Sequence, residues 1–329
     1  MRVMVTGATT PLGAAIVDRL VRSHDVELVL AVAREASPAP PHDRIIHRTA
    51  DLTHTRSIRD LLWGDARAHG VTAVVHAMHH RAAHDEGSRV HAQNVRATHE
   101  LVVACAEHPT IRRFVYRSFA EVYAPPRPTQ DLIDEETPLD FDPAASQWVR
   151  DRVEADLAVC AHLGGPLEIA VLRCAEILAP GIGSQLWDYL ASRVCLRPLG
   201  FDPMLNLLSL DDAAAAFGAA LDSAAIGPFN IAGLETLPLS RAIAESARMN
   251  IAVPGPLLSP LYRLRRAVGD HDFRYDLNAR RLHFGGVLDG RRARLDLGYV
   301  PHTPVKWPRA WWRRLIDGLA RSQTEPDVA

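Results

Sequence analysis

The 329 residues of this chain predict a doubly wound α/β fold, a parallel sheet with helices on both faces, joined to a smaller, partly helical C-terminal substrate domain. Three observations carry that expectation. Residues 3–13, Val-Met-Val-Thr-Gly-Ala-Thr-Thr-Pro-Leu-Gly, read as strand, glycine turn and helix start. Short apolar runs then alternate with amphipathic helical stretches as far as Arg173. Beyond it, proline and glycine break the pattern over residues 178–203.

The elements follow in order. Residues 2–5 make a short buried strand, and a helix begins near Pro11 with Ala14, Ile16, Val17, Leu20 and Val21 on its apolar side. Gly7 permits the turn between them, and Gly13 lets the helix pack closely on the strand. Thr9, Thr10, Pro11 and Leu12 form the helix mouth, where free N–H groups and the positive end of the dipole face an anion. Thr10 replaces the middle glycine of the usual pattern, yet the placement behind a strand and before a helix predicts a dinucleotide phosphate here. Further strands are expected at 26–33, 44–48, 71–76, 112–116 and 167–172, with helices at 57–68, 89–106 and 144–162. Ligands of such sheets bind beyond the carboxyl ends of the strands.

Residues 1–177 are therefore expected to form the dinucleotide-binding domain, with 205–232 returning to it through 206–208, a helix opened by Asp211 and Asp212, and 229–231. Residues 178–204 and 233–322 are expected to form a substrate or lid domain, including 254–267, 289–297 and a last helix from Lys306, and 323–329 a frayed tail.

Composition excludes several classes. A net charge of −2 gives no global field for nucleic acid, and no run of 18 apolar residues suggests a membrane span. Cys105, Cys160, Cys174 and Cys195 lack paired spacing and read as buried thiols, so a cytoplasmic protein is expected. Lys306 is the one lysine in the sequence.

By these landmarks the chain resembles the extended short-chain dehydrogenase/reductases, the NAD-dependent epimerase/dehydratase family, over nearly its whole length. Thr6-Gly7 through Gly13 is similar to the family's Rossmann cofactor fingerprint, and Asp51-Leu52 to its adenine-holding acidic pair. His76-Ala77-Met78 resembles the strand end beside the cofactor ribose, and Asn94-Val95 the asparagine motif of the following helix. The run from Phe114 to Ser118, the Val122-Tyr123 pair, Val171-Leu172-Arg173, Leu210-Asp211-Asp212, Phe229-Asn230-Ile231 and the stretch from Leu297 to Pro301 match later landmarks. The resemblance implies NAD or NADP as cofactor, and a sugar nucleotide or another small carbonyl or hydroxyl compound as substrate. It also implies oxidoreductase, epimerase or dehydratase chemistry; a homodimer is the expected assembly.

The departures fall on the chemistry. Phe119 occupies the family's serine position, with Ser118 one residue away, while Trp148 stands for the tyrosine and Arg152 for the lysine of its Tyr-x-x-x-Lys. Indole has no acid–base capacity near neutral pH, and guanidinium does not titrate there, although Arg152 could hold ribose hydroxyls. Ser118, His79, His80 and Tyr123 are the remaining candidates for a proton carrier. The other possibility is a catalytically degenerate dinucleotide-binding scaffold or redox sensor.

Three further features bear on ligands. Arg34 ends the second strand where NAD would meet a carboxylate, which tips the cofactor expectation slightly towards NADP despite Glu35 beside it. His76, His79, His80, His84 and His91 cluster, but no cysteine lies near and sixteen histidines cluster by chance, so no metal is expected. Residues 262–314 hold thirteen Lys or Arg against five Asp or Glu, with Trp307, Trp311 and Trp312 among them. Membrane-surface contact is a less favoured reading of that stretch than packing on the second domain or a dimer partner.

Overall fold

A computed structural model describes residues 1–37, 40, 42–125, 132–267 and 273–308. The first part alternates strands and helices: β1 (Arg2–Thr6), α1 (Pro11–Arg22), β2 (Leu28–Ala33), β3 (Ile45–Thr49), α2 (Thr55–Arg59, extended by a wider π-type stretch Asp60–Ala66) and β4 (Ala73–His76). Next come α3 (Ser88–His91), the π-type Ala92–Arg96, α4 (Ala97–Glu107), β5 (Arg113–Phe119), α5 (Gln147–Cys160) and β6 (Glu168–Cys174). The rest holds β7 (Glu176–Ile177), α6 (Gln185–Ala191), β8 (Val194–Pro198), β9 (Met204–Leu208), α7 (Leu210–Asp222), β10 (Gly227–Ile231) and β11 (Glu235–Pro238). Then follow α8 (Leu239–Glu245), β12 (Met249–Val253), α9 (Gly255–Ala267), α10 (Tyr275–Phe284) and α11 (Arg291–Asp296).

Seven strands in the order β10-β6-β5-β4-β1-β2-β3, all parallel, form the central sheet. Its order reverses beside β1, so the crevice beyond Gly7 lies at the switch point. Strand alternation divides the core between two faces. Val3 and Val5 pack with Leu12, Ile16 and Phe217 on one side, while Met4 packs with Leu30, Leu101 and Phe114 on the other. A third core, around Tyr189, Leu205, Leu258 and Phe273, underlies the later elements.

Several boundaries move, with physical reasons. β5 runs to Phe119 and β6 to Cys174, further than their apolar runs suggest, because Arg117, Ser118 and Arg173 find partners or aromatic faces inside the fold. The helix expected over 144–162 starts at Gln147, since the Ser146 hydroxyl accepts from the Val149 amide and caps it. Within 205–232, β10 joins the central sheet and α7 packs on α1, but β9 pairs with β7 and β11 in a separate sheet. Residues 306–308 are not helical, and the rest of the expected last helix, with Trp311, Trp312 and the tail 323–329, lies outside the described residues. Among the described residues no helix is long and apolar enough to cross a membrane.

Candidate active site

β1 delivers the chain into the Gly7 turn at φ +73°, a region that glycine enters without strain. A Cβ on Gly7 would stand 2.9 Å from the Met78 Cα, and one on Gly13 would stand 2.1 Å from the Gly7 carbonyl oxygen. Both glycines are therefore required by close backbone approach. Thr10 accommodates the missing middle glycine by turning its hydroxyl inwards, donating to the Gly7 carbonyl at 2.7 Å and accepting from the Gly13 amide at 3.1 Å. It is the N-cap of α1, with Pro11 at the first helical position.

This turn opens onto a cleft of about 610 Å³. Gly7, Thr9, Thr10, Arg34, Asp51, Leu52, Met78, His79 and His80 line it. Arg34 stands at the far end, 3.6 Å from Asp51. Burial raises the Asp51 carboxyl, but hydrogen bonds from the Thr53 amide and hydroxyl, together with Arg34, hold it below the usual carboxylate range. The cradle fits a dinucleotide: it offers helix-mouth amides, glycines that no side chain could replace, and polar groups at the ribose end.

Other expected cofactor residues stand behind the cleft wall. Leu12 and Ala77 are fully buried, and Pro11 and Gly13 belong to the helix mouth rather than to the cleft lining. The His76 side chain is fully buried in the core, at the end of β4. The Thr98 hydroxyl donates to the Asn94 carbonyl at 2.6 Å, so it accepts from His76 Nε2 at 3.0 Å, and His76 Nδ1 accepts from the Thr6 hydroxyl at 2.7 Å. Burial holds this imidazole neutral, with its pKa lowered to about 4. Asn94 acts on the loop: its side-chain oxygen accepts from the His80 amide at 2.9 Å.

Inside the cleft lies a narrower cavity, which shares His79, His80, Arg81, Gly183 and Ser184 with it. The substituted family positions meet there. Arg152 is 3% exposed, with its guanidinium carbon 3.6 Å from the Trp148 ring centre and 4.3 Å from that of Phe119. Its side chain donates back to the Trp148 carbonyl at 3.3 Å. Burial lowers the Arg152 pKa to about 10. Arg117 approaches the same Phe119 ring at 4.7 Å. His79 packs at 4.5 Å from Phe119 and edge-on to Trp148, and burial, followed by the Arg152 and Arg117 charges, pushes its pKa well below the histidine range.

Two of the four expected proton carriers are drawn into the framework. Ser118 points to the opposite face of β5, where it donates to Asp156, a buried carboxylate that also accepts from Arg173 at 3.1 and 2.8 Å. Tyr123 donates to Asn230 at 2.6 Å and accepts from Arg173 at 3.1 Å; burial raises its pKa to about 12, against the lowering effect of Arg173. His79 is held neutral. His80 remains on the cavity wall, with Nε2 2.9 Å from the Asp85 carboxylate.

The clustered histidines diverge: His84 lies near Asp85, and His91 reaches Asp151 at 3.0 Å. Among the described residues no group of three metal-ligating side chains is assembled. Sequence reasoning missed Arg117 and Glu176. Alternation along β5 places Arg117 and Phe119 on one face, with Ser118 on the other, and would have found the first had the strand been read past residue 116.

Comparison with known proteins agrees with this geometry. Residues 3–232 match the NAD dependent epimerase/dehydratase family. The chain is 30% identical over 316 residues to an uncharacterised protein of Mycobacterium tuberculosis, covering 93% of this chain and 80% of that one. It is 31% identical over 338 residues to a 3-diazoavenalumate denitrifying reductase of a Streptomyces species, covering 98% and 100%. Among solved structures, the dTDP-glucose 4,6-dehydratase of Streptomyces venezuelae with NAD bound superposes with a TM-score of 0.68 at 20% identity, covering 98% of this chain and 95% of that one. The UDP-glucose 4-epimerase of Thermus thermophilus in complex with NAD gives 0.68 at 17%, covering 92% and 95%. With the fingerprint, the sheet order and these matches in agreement, the chain belongs to the NAD-dependent epimerase/dehydratase family.

Proposed function

We propose that this protein is a nicotinamide-dinucleotide-dependent reductase whose acceptor needs hydride but no proton from the protein. One observation carries the reading: the positions that would relay a proton hold Phe119, Trp148 and Arg152 in a single stack, with His79 kept neutral beside them. Gly7, Thr9 and Thr10 would hold the pyrophosphate, Asp51 and Arg34 the adenosine end, and Arg34 favours NADPH over NADH. When bound, the reduced dinucleotide supplies a hydride, which an already cationic acceptor such as an aryl diazonium takes up with loss of dinitrogen (ArN₂⁺ + H⁻ → ArH + N₂). Carbonyl reduction would instead leave an alkoxide, and neither indole nor guanidinium supplies its proton near neutral pH. The chain's own task is to orient the acceptor against the aromatic stack and to exclude water from it. The Streptomyces relative, named for removing nitrogen from a diazo compound, supports this class of chemistry.

The same stack also favours a second reading, a dinucleotide-binding scaffold without turnover, because it narrows the inner cavity. A turnover panel of sugar nucleotides, carbonyl compounds and aryl diazonium carboxylates separates the two. The parent protein is expected to reduce the diazonium compounds alone. Turnover of none of them favours the scaffold, and turnover of sugar nucleotides overturns both readings.

A further inference from the structure

Arg117 and Arg152 are two buried cations with no carboxylate bound to either among the described residues. Among the described residues Arg117 has no side-chain hydrogen-bond partner, and Arg152 reaches a single backbone carbonyl. Arg117 Nε, Arg152 Nε and His79 Nε2 are all buried donors or acceptors without a partner, and all three residues wall the same inner cavity. Neighbouring arginines are committed: Arg274 to Glu86 and Asp276, Arg280 to Asp140, and Arg281 to Glu176 at 2.6 Å. Two carboxylates also face this cavity. Glu176 is held by Arg281, the Ser184 hydroxyl and the Leu186 amide, and Glu121 stands 3.9 Å from the same Arg281. Glu121 and Glu176 draw on Arg117 and Arg152 only through space, without an ion pair, and two buried like charges so placed are costly to a fold and call for a closer counter-ion.

We propose that Arg117 and Arg152 form a carboxylate subsite that takes the anionic head of a small, flat, apolar acid. The assignment builds on the reductase reading and names its substrate class. The inner cavity is narrow, about 20 Å³, with room for little more than a water-sized group, so it suits the tip of a small head group rather than a hexose ring. On its far side, Glu121, Ala175 and Glu176 also wall a second cavity of about 150 Å³, whose lining includes Ile133, Val149, Leu205 and Phe284. The apolar body belongs there. A nucleoside diphosphate does not suit that cavity, because the cations on its wall, Arg280 and Arg281, already hold carboxylates. Both guanidinium carbons stand over the Phe119 ring, at 4.7 and 4.3 Å from its centre, so the two cations converge on one side chain, and a guanidinium fork suits a planar oxyanion.

Calorimetry tests this with benzoate and 4-hydroxycinnamate, each titrated against its own amide, on the full chain with and without NADPH. The carboxylates are expected to bind at least tenfold more tightly than their amides. That preference should vanish in Arg117→Gln and return in part in Arg117→Lys, while NADPH affinity stays unchanged. The thermal midpoint of unliganded Arg117→Gln should not fall, since the substitution removes an unpaired buried charge. No carboxylate preference in the parent, or one that survives Arg117→Gln, would overturn the subsite. So would UDP-glucose binding in competition with the carboxylates. Carboxylate binding without NADPH binding would uphold the subsite and defeat the reductase reading instead.

Discussion

The guanidinium carbon of Arg152 stands over the indole of Trp148, 3.6 Å from its ring centre and one helical turn along α5. A desolvated cation–π contact of this kind contributes about 2 kcal/mol, and here it holds a buried arginine that has no carboxylate. Trp148→Ala should therefore lower unfolding free energy by at least that amount, and Trp148→Phe by less, as read by urea denaturation. Equal stability of Trp148→Ala and the parent would show that the stack does not anchor Arg152.

The dinucleotide cradle gives the next expectation. Gly13→Ala drives a Cβ into the Gly7 carbonyl, and Gly7→Val meets Met78 from a backbone conformation that valine avoids. Both variants should lose measurable heat of NAD(P)H binding in calorimetry. Retained binding in either would place the pyrophosphate elsewhere.

Cofactor choice is expected to rest on Arg34. A charged contact to a ribose phosphate is worth about 1.5–3 kcal/mol, so NADPH should bind roughly tenfold or more tightly than NADH. Arg34→Ala should erase most of the difference. Because Asp51 stands 3.6 Å from Arg34 and competes for it, Asp51→Asn should widen the preference. Equal affinities in the parent would leave Arg34 as the partner of Asp51 alone.

Much of this fold could be read from the residues, because glycine turns and period-two strands are local features. The cradle is set within eleven residues: Gly13 is required by the Gly7 carbonyl in the same turn, and Gly7 by its positive φ, to which the distant Met78 backbone adds a close approach. The inner site was legible only in part. Phe119, Trp148 and Arg152 stand out by spacing, but their stacking depends on β5 and α5 meeting in space. The neutrality of His79 depends first on its burial and then on the Arg152 and Arg117 charges, all set by residues distant in sequence, and no local pattern reports it. Ser118 looked available because the strand seemed to end at residue 116; two residues more of alternation turn it towards Asp156.

Stability should also depend on pH through His76. The unfolded imidazole takes its proton near 6.5, the folded one near 4, so between these values the unfolded chain binds more protons. The contribution of neutral His76 is complete above about pH 6.5 and is lost as pH falls towards 4. Between pH 7 and pH 5 the parent should lose about 2 kcal/mol more than His76→Gln, measured by denaturant titration at each pH. Identical losses would mean that His76 is protonated in the fold.

The most direct test of proton-free reduction follows an isotope. NADPH carrying deuterium at its transferable position is mixed with the protein and an aryl diazonium carboxylate in ordinary water, with a protein-free control, and the product is read by mass spectrometry. The parent is expected to place deuterium on the carbon that loses nitrogen, well above the control. The Phe119→Ser, Trp148→Tyr, Arg152→Lys triple variant should gain carbonyl reduction that the parent lacks. Product hydrogen drawn from water, or robust reduction of carbonyl compounds or epimerisation of sugar nucleotides by the parent, would contradict reduction without a proton from the protein and would point to His80 on the cavity wall.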